Sequence, residues 1–247
     1  MSTILIYILG ISMAEAVGSY VSAPAGAAAH AAMIVVSLAH IGLRPKAPSA
    51  RVLPALMLAP LIRVLSLVMA SPEVPQIYWH ALVGVSVLVS AGLAARQLGL
   101  PASALGLRVR HWALQGLIGL SGLSFGLVGF AILGPRAPVE GANWPSIVAS
   151  VLVLAGLTAL VEEFVFRGLV LAAARQAFGG PAAVLCSSML FASMYLGSLS
   201  PAYFVIVSLV GFYFGYCVLK TGSLAGVVVA HVLMNGGLLI LWPAILT

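Results

Sequence analysis

The sequence predicts an all-α fold, a polytopic helical membrane protein with about 8–9 transmembrane helices. Of its 247 residues, 62% are hydrophobic and 6% are charged, whereas roughly 25% of the residues in a soluble domain are charged. Eleven Lys and Arg and five Glu cannot supply the charged surface of a soluble domain of this size. This composition excludes a soluble enzyme, a disordered chain and a disulfide scaffold. The apolar runs are long and do not alternate, which excludes a transmembrane barrel.

Apolar stretches of about 20 residues, the length that crosses a bilayer as a helix, define the predicted spans. Nine stretches have this character: residues 4–22, 25–43, 52–70, 77–95, 112–133, 146–172, 182–197, 202–219 and 223–242. Turn residues such as Gly179-Gly180-Pro181 separate them. No linker is long enough to divide the chain into separate soluble domains.

The distribution of basic residues predicts the orientation of these spans. With a cytoplasmic N-terminus, eight basic residues lie in the inner connections: Arg44, Lys46, Arg51, Arg96, Arg108, Arg110, Arg175 and Lys220. Only Arg136 lies in an outer one. This asymmetry satisfies the positive-inside rule and predicts a multi-pass protein of the plasma or inner membrane. It also explains the net charge of +6 without a nucleic-acid partner.

Ionisable groups inside predicted spans need a structural or functional reason, because a charge at mid-membrane costs roughly 2.5–3.5 kcal/mol. The sixth span holds Glu162, Glu163 and Arg167. Glu163 and Arg167 have the i, i+4 spacing of a helical ion pair, whereas Glu162 points about 100° away. The ninth span carries His231 and Asn235 on one helical face. The depths of Glu162 and His231 are similar, so these groups can share one cavity.

Structural explanations compete with functional ones for each of these groups. A buried ion pair that only locks helix packing would explain Glu163 and Arg167, but it leaves Glu162 unexplained. Glu15 and Arg63 are single intramembrane charges on separate spans, which can pair or snorkel. The spacing of Gly122 and Gly126 favours close packing of helices within the chain over a dimer face.

In this order, the motifs resemble those of the CAAX protease and bacteriocin-processing family of intramembrane endopeptidases, which includes abortive-infection-type proteins. Glu162, Glu163 and Arg167 match its Glu-Glu-x-x-x-Arg motif, and His231 and Asn235 match its His-x-x-x-Asn motif. The resemblance implies a catalytic transmembrane core at residues 104–247. Residues 1–103 are predicted to form transmembrane helices that are not specific to the family, within a single membrane domain.

One motif departs from the family pattern, which has Phe-x-x-x-His between the other two motifs. Here Tyr195, four residues after Phe191, stands where the family pattern has the histidine. A catalytic zinc site requires three protein ligands, and only Glu162, Glu163 and His231 are left to supply them. A site without metal or other cofactor is therefore favoured, although a divalent metal remains an alternative. Phe191 and Tyr195 are predicted to contact the substrate.

The resemblance implies an endopeptidase in which Glu162 activates a water molecule, while Arg167 holds Glu163 ionised. His231 and Asn235 would donate hydrogen bonds to the developing oxyanion. The expected partners are the lipid bilayer and a membrane-tethered or lipid-modified substrate, presented from the cytoplasmic side. Glu162, Tyr195, His231 and Asn235 are expected to line one cavity. The alternatives are a catalytically impaired pseudoprotease that binds a membrane partner, as an immunity factor does, and a transporter with a proton relay.

Overall fold

The computed structural model describes residues 1–69, 76–134, 144–198 and 200–246. These residues contain no β-strand. Their α-helices are, in chain order, α1 Ser2–Tyr20, α2 Ala23–Leu43, α3 Leu53–Leu56, α4 Leu58–Met69, α5 Gln76–Gln97, α6 Trp112–Leu133, α7 Trp144–Glu163, α8 Leu171–Phe178, α9 Gly180–Ser193, α10 Pro201–Thr221, α11 Ala225–Gly236 and α12 Trp242–Leu246. Short 3-10 helices occupy Pro48–Arg51 and Leu196–Ser198, and π-helices occupy Phe164–Val170 and Gly237–Leu241. Arg136, predicted to be external, lies outside the described residues.

The predicted fold class, an all-α polytopic membrane protein, is confirmed. Among the described residues, seven helices are long and apolar enough to cross a membrane. They correspond to seven of the nine predicted spans. The third predicted span is divided between α3 and α4, which together give only a shorter apolar helix. The sixth corresponds to α7, which continues through the π-helix Phe164–Val170 into α8.

Close packing of α6 against α11 fixes the position of the predicted His231 motif. A Cβ atom built on Gly122 would overlap the carbonyl group of Ala230, and one on Gly126 would lie 2.7 Å from the oxygen of Met234. Small residues allow two helix backbones to approach this closely in a membrane. The prediction that Gly122 and Gly126 pack within the chain is confirmed, and α6 thereby holds the backbone on either side of His231.

The two ends of the helix bundle differ in charge. We call the end formed by the connections 44–52, 98–111 and 222–224, and by the turn at Gly179, the basic end. Contacts join these connections: the amide of Leu224 donates to the oxygen of Gly106 at 2.8 Å, and the 3-10 helix Pro48–Arg51 contacts α8. Gly179, at a φ of 86°, ends α8 before α9 begins.

The other end of the bundle, where α1 ends, α4 ends and α5 begins, is called the opposite end. The segment Leu196–Ser198 packs there against the last turns of α1, and a Cβ on Gly197 would lie 2.6 Å from Oγ of Ser19. Met1, at the start of α1, contacts Cys186 in the middle of α9, the helix that begins at the basic end. Long helices therefore run between two chemically different ends.

Candidate active site

The Glu-Glu-x-x-x-Arg motif lies where a regular helix changes its winding. Glu162 and Glu163 are the last two residues of α7, and Arg167 lies in the π-helix that follows. Short π-helical turns inside α-helices are rare and often occur at functional sites. The predicted ion pair is present, with Nη1 of Arg167 3.1 Å from Oε1 of Glu163. Both side chains are fully buried, so this pair is shielded from solvent.

Arg167 is held by aromatic and backbone contacts as well as by Glu163. Its guanidinium carbon lies 3.9 Å from the ring centroid of Phe191, which is a cation–π contact. Its Nη2 atom donates to the oxygen of Gly211 at 3.5 Å. A Cβ atom on Gly211 would lie 3.3 Å from the Phe191 ring. The sequence motifs of the site did not indicate Gly211, whose only pattern is its Gly-x-x-x-Gly spacing to Gly215.

The His231 imidazole lies between the two glutamates. Its Nδ1 atom is 2.7 Å from Oε1 of Glu163, and its Nε2 atom is 3.9 Å from Oε2 of Glu162. A carboxylate oxygen only accepts, so the proton on Nδ1 is directed at Glu163. The Nε2 atom then faces Glu162 with a lone pair if the imidazole is neutral, or with a second N–H group if the imidazole is protonated. His231 is therefore hydrogen-bonded to Glu163, whereas its Nε2 atom lies near Glu162 without a hydrogen bond to it.

The environments of the two glutamates differ, as their helical spacing predicted. The side chain of Glu162 is 21% exposed, whereas that of Glu163 is completely buried. The hydroxyl group of Tyr195 donates to Oε2 of Glu162 at 3.3 Å. Tyr195 thus contacts the less buried carboxylate directly.

A cavity of about 390 Å³ lies beside Glu162. Its wall is formed by Ile62, Arg63, Ser66, Trp79, His80, Val83, Gly84, Leu157, Thr158, Val161, Glu162, Phe166, Phe191, Met194, Tyr195 and Ser198. The predicted substrate contacts Phe191 and Tyr195 are both in this wall. Such a volume and a mostly apolar wall with a few polar groups are typical of ligand pockets.

The expectation that four polar groups share this cavity is met by only two of them. Glu162 and Tyr195 line it, whereas His231 is fully buried behind Glu162 and is not part of the wall. Asn235 is half-buried, four residues after His231 on α11. Among the described residues, the Asn235 side chain forms no hydrogen bond, so its predicted role stays a prediction.

A second buried cluster reaches the cavity from the N-terminal helices. Nη2 of Arg63 lies 2.5 Å from Oε1 of Glu15, and Nε2 of His30 lies 3.3 Å from Oε2 of the same carboxylate. Arg63 also donates to the carbonyl oxygen of Met194, next to Tyr195. Glu15 and Arg63, which were predicted to pair or snorkel, form an ion pair. The sequence does not indicate that Arg63 lines the cavity, because Arg63 and Glu15 lie 48 residues apart.

The polar groups of the site do not converge as metal ligands do. Among the described residues, no three His, Cys, Asp or Glu side chains are arranged to hold a metal ion. His231 presents a different nitrogen to each glutamate, and Oε1 of Glu163 already accepts from Arg167 and His231. The donor set of this site therefore does not fit the three-ligand pattern of a catalytic zinc.

Comparison with known proteins identifies the segment that carries these groups. The family model for Rce1-like proteins, described as type II CAAX prenyl endopeptidase Rce1-like, matches residues 143–237. The predicted CAAX protease resemblance is confirmed. The match includes Glu162, Glu163, Arg167, His231 and Asn235. No significant match was found among curated proteins or among solved structures.

Proposed function

We propose that this protein is a glutamate-dependent intramembrane endopeptidase, with Glu162 as the base that activates water. The Rce1-like match supports a peptidase of this family. The observation that carries the finer proposal is the position of Glu162. Its carboxylate faces the cavity, accepts a hydrogen bond from Tyr195 and lies 3.9 Å from Nε2 of His231. It is the one acidic side chain in the described wall of the cavity.

The proposed reaction begins with a water molecule held by Glu162 on the cavity side. Glu162 takes one proton from this water, and the hydroxide oxygen bonds to the carbonyl carbon of the scissile peptide. The carbonyl oxygen becomes an oxyanion. When the tetrahedral intermediate collapses, the C–N bond breaks and the leaving amine takes the proton from Glu162. One water molecule is consumed, the products are a carboxylic acid and an amine, and Glu162 is again a carboxylate.

We assign a supporting role to the three groups behind Glu162. The Arg167 guanidinium neutralises Glu163, and Glu163 in turn orients His231 through Nδ1. His231 then presents Nε2 to Glu162 and can offset its charge as the proton is transferred. The Tyr195 hydroxyl group lies in the cavity wall in contact with Glu162, and Tyr195 replaces His231 as our candidate for stabilising the oxyanion. Asn235 stays a predicted second donor.

The proposed substrate is a membrane-associated polypeptide, because the site lies among apolar helices of a multi-pass membrane protein. We place the protein in the plasma or inner membrane with its N-terminus on the cytoplasmic side, following the positive-inside rule. We further propose that the reaction needs no metal ion. Activity that survives a strong chelator would support this part of the proposal, and activity restored only by added Zn²⁺ would contradict it.

The test is cleavage of a panel of membrane-tethered peptides by purified protein in proteoliposomes. We expect Glu162→Gln to abolish cleavage while the protein folds normally, since a neutral amide is easier to bury than a carboxylate. Thr158→Val is the matched control, because Thr158 lines the same cavity one turn earlier on α7. It should retain most of the activity. Cleavage by Glu162→Gln at the rate of the unaltered protein would refute the proposal.

Tyr195 favours a second candidate function, a pseudoprotease that binds a membrane partner without cleaving it. The Tyr195 hydroxyl donates to the carboxylate that would have to bind water. If that hydrogen bond persists with ligand bound, it competes with the reaction. Under this alternative, peptides bind with equal affinity to the unaltered protein and to Glu162→Gln, and neither releases a product.

A further inference from the structure

We propose that the cavity at Glu162 is entered from the opposite end of the bundle, so that its ligand is an apolar polypeptide segment presented at the non-cytoplasmic face. The polypeptide nature of the ligand rests on the proposed function, whereas the direction of entry rests on geometry alone. The direction departs from the cytoplasmic approach that the sequence suggested.

The far wall of the cavity lies close to the opposite end. Trp79 and His80 come three and four residues after α5 begins at Gln76, a rise of about 5–6 Å. Ser66 comes three residues before α4 ends at Met69. Ser198, in the segment between α9 and α10, is exposed. The cavity thus extends from Glu162 to within about one helical turn of this end.

The route from the basic end is closed by packed side chains. On that side of the cavity, each of three chain segments carries residues with no exposed surface: Leu53 and Leu56 in α3, Val87 and Ala91 in α5, and Leu169 and Val170 in the π-helix. The first pair comes before the cavity residue Arg63 along the chain, and the other two pairs come after the cavity residues Gly84 and Phe166. In each case the buried pair lies on the side of the basic end. A peptide approaching from that end would have to separate this layer, because close-packed interiors leave no channel of that width.

Charge assigns the two ends to the two faces of the membrane. The predicted inner connections at the basic end carry eight Lys and Arg residues, whereas those at the opposite end carry only Arg136. The positive-inside rule therefore places the basic end in the cytoplasm. The cavity wall is mainly apolar, with Trp79, Phe191 and Met194, and suits an apolar polypeptide segment rather than a charged soluble peptide.

The experiment measures thiol accessibility in sealed membrane vesicles, in a background carrying Cys186→Ala and Cys217→Ala. Ser66→Cys reports on the cavity. Ala23→Cys, at an exposed position of the opposite end, and Ser103→Cys, at an exposed position of the basic end, report vesicle orientation. A small, membrane-impermeant thiosulfonate reagent is added from one face at a time. Loss of the free thiol is then read from the shift produced by a polymer-linked maleimide after denaturation.

We expect Ser66→Cys to lose its free thiol when the reagent is on the face that labels Ala23→Cys, and to keep it when the reagent is on the face that labels Ser103→Cys. Labelling from the Ser103→Cys face would overturn the proposal. Labelling of Ser66→Cys from neither face, with both reporters labelled, would also overturn it, because the cavity would then have no aqueous entry.

A cleavage experiment separates this proposal from the proposed function. Two reporters carry the same apolar segment in opposite membrane orientations, so that the cleavable region faces either end of the bundle. Cleavage restricted to the reporter that faces the opposite end supports entry from that end. If Ser66→Cys is labelled as expected and neither reporter is cleaved, the direction of entry holds and the peptidase proposal fails. Cleavage of only the reporter that faces the basic end refutes the direction of entry.

Discussion

Replacing Glu163 by Gln should separate structural support from catalysis in this site. The Glu163 carboxylate accepts from Arg167 at 3.1 Å and from His231 at 2.7 Å through a single oxygen, with no exposed surface. Glu163→Gln preserves the volume but leaves the Arg167 guanidinium buried without its counter-charge. It also removes the anion that orients Nδ1 of His231. We therefore expect lower stability and lower activity together.

The size of the stability loss can be estimated from these contacts. Breaking a buried ion pair by neutralising one partner costs about 3–5 kcal/mol. Arg167 keeps its cation–π contact with Phe191, at 3.9 Å, and its hydrogen bond to Gly211. These contacts favour the lower part of that range. For a chain of about this length, 1 kcal/mol shifts the Tm by roughly 2–4 °C, so a shift of about 6–12 °C is expected at 3 kcal/mol.

Thermal unfolding of detergent-purified protein provides the assay, with peptide cleavage measured on the same samples. Glu162→Gln is the matched control, because it makes the same chemical change at the adjacent residue, whose carboxylate has no arginine partner. We expect that control to unfold near the Tm of the unaltered protein and to lack activity. An unchanged Tm for Glu163→Gln, or a larger loss for Glu162→Gln, would refute the division of roles between the glutamates.

Three further predictions concern groups around the site. Tyr195→Phe should lower kcat roughly 10- to 150-fold, since a hydrogen bond to a charged group contributes about 1.5–3 kcal/mol. Tyr195→His should raise the rate of cleavage. If the unaltered protein has no activity and Tyr195→His does not produce any, the pseudoprotease function is favoured. Gly122→Ala should lower stability by about 1–3 kcal/mol because it forces α6 away from α11. Gly116→Ala, which has open space around its Cβ position, should leave stability unchanged. Equal Tm values for the two variants would contradict the close packing of α6 against α11. Arg63→Gln should lower both Tm and activity because Glu15 loses its cation, and Arg63→Lys should recover most of the Tm; a Tm of Arg63→Gln equal to that of the unaltered protein would show that the pair contributes nothing.

Composition and spacing predicted most of the fold and the centre of the site. Few charges and long apolar runs were sufficient for the helical membrane class, because both follow directly from the chemistry of a bilayer. The i, i+4 spacing predicted the contact of Glu163 with Arg167, since a helix places such residues on one face. The separation of Glu162 from Glu163 also followed from helical geometry. The facing position of His231 depended on depth counted from the basic ends of two spans.

The sequence could not reveal what depends on contacts between distant helices. The π-helix changes the register after Glu163, and no residue pattern marks it. The third predicted span divides at Met57 into α3 and α4, although the residues on either side of Met57 are apolar. Asn235 shares a helical face with His231 by spacing, yet a shared face does not determine which neighbouring helix lies opposite. Several chain segments together form a cavity, whereas residue spacing describes the arrangement of side chains along only one segment.

The contribution of the N-terminal helices has the most consequence for specificity. The Rce1-like match begins at residue 143, but Arg63, Trp79 and His80 form the wall that faces Glu162. The groups proposed to carry out the chemistry are therefore supplied by one part of the chain, and the surface that a substrate meets is shared with another. The Arg63 bond to the carbonyl of Met194 links the two parts beside Tyr195. The proposed peptidase could therefore change its substrate through α4 and α5 while Glu162, Glu163 and Arg167 stay in place.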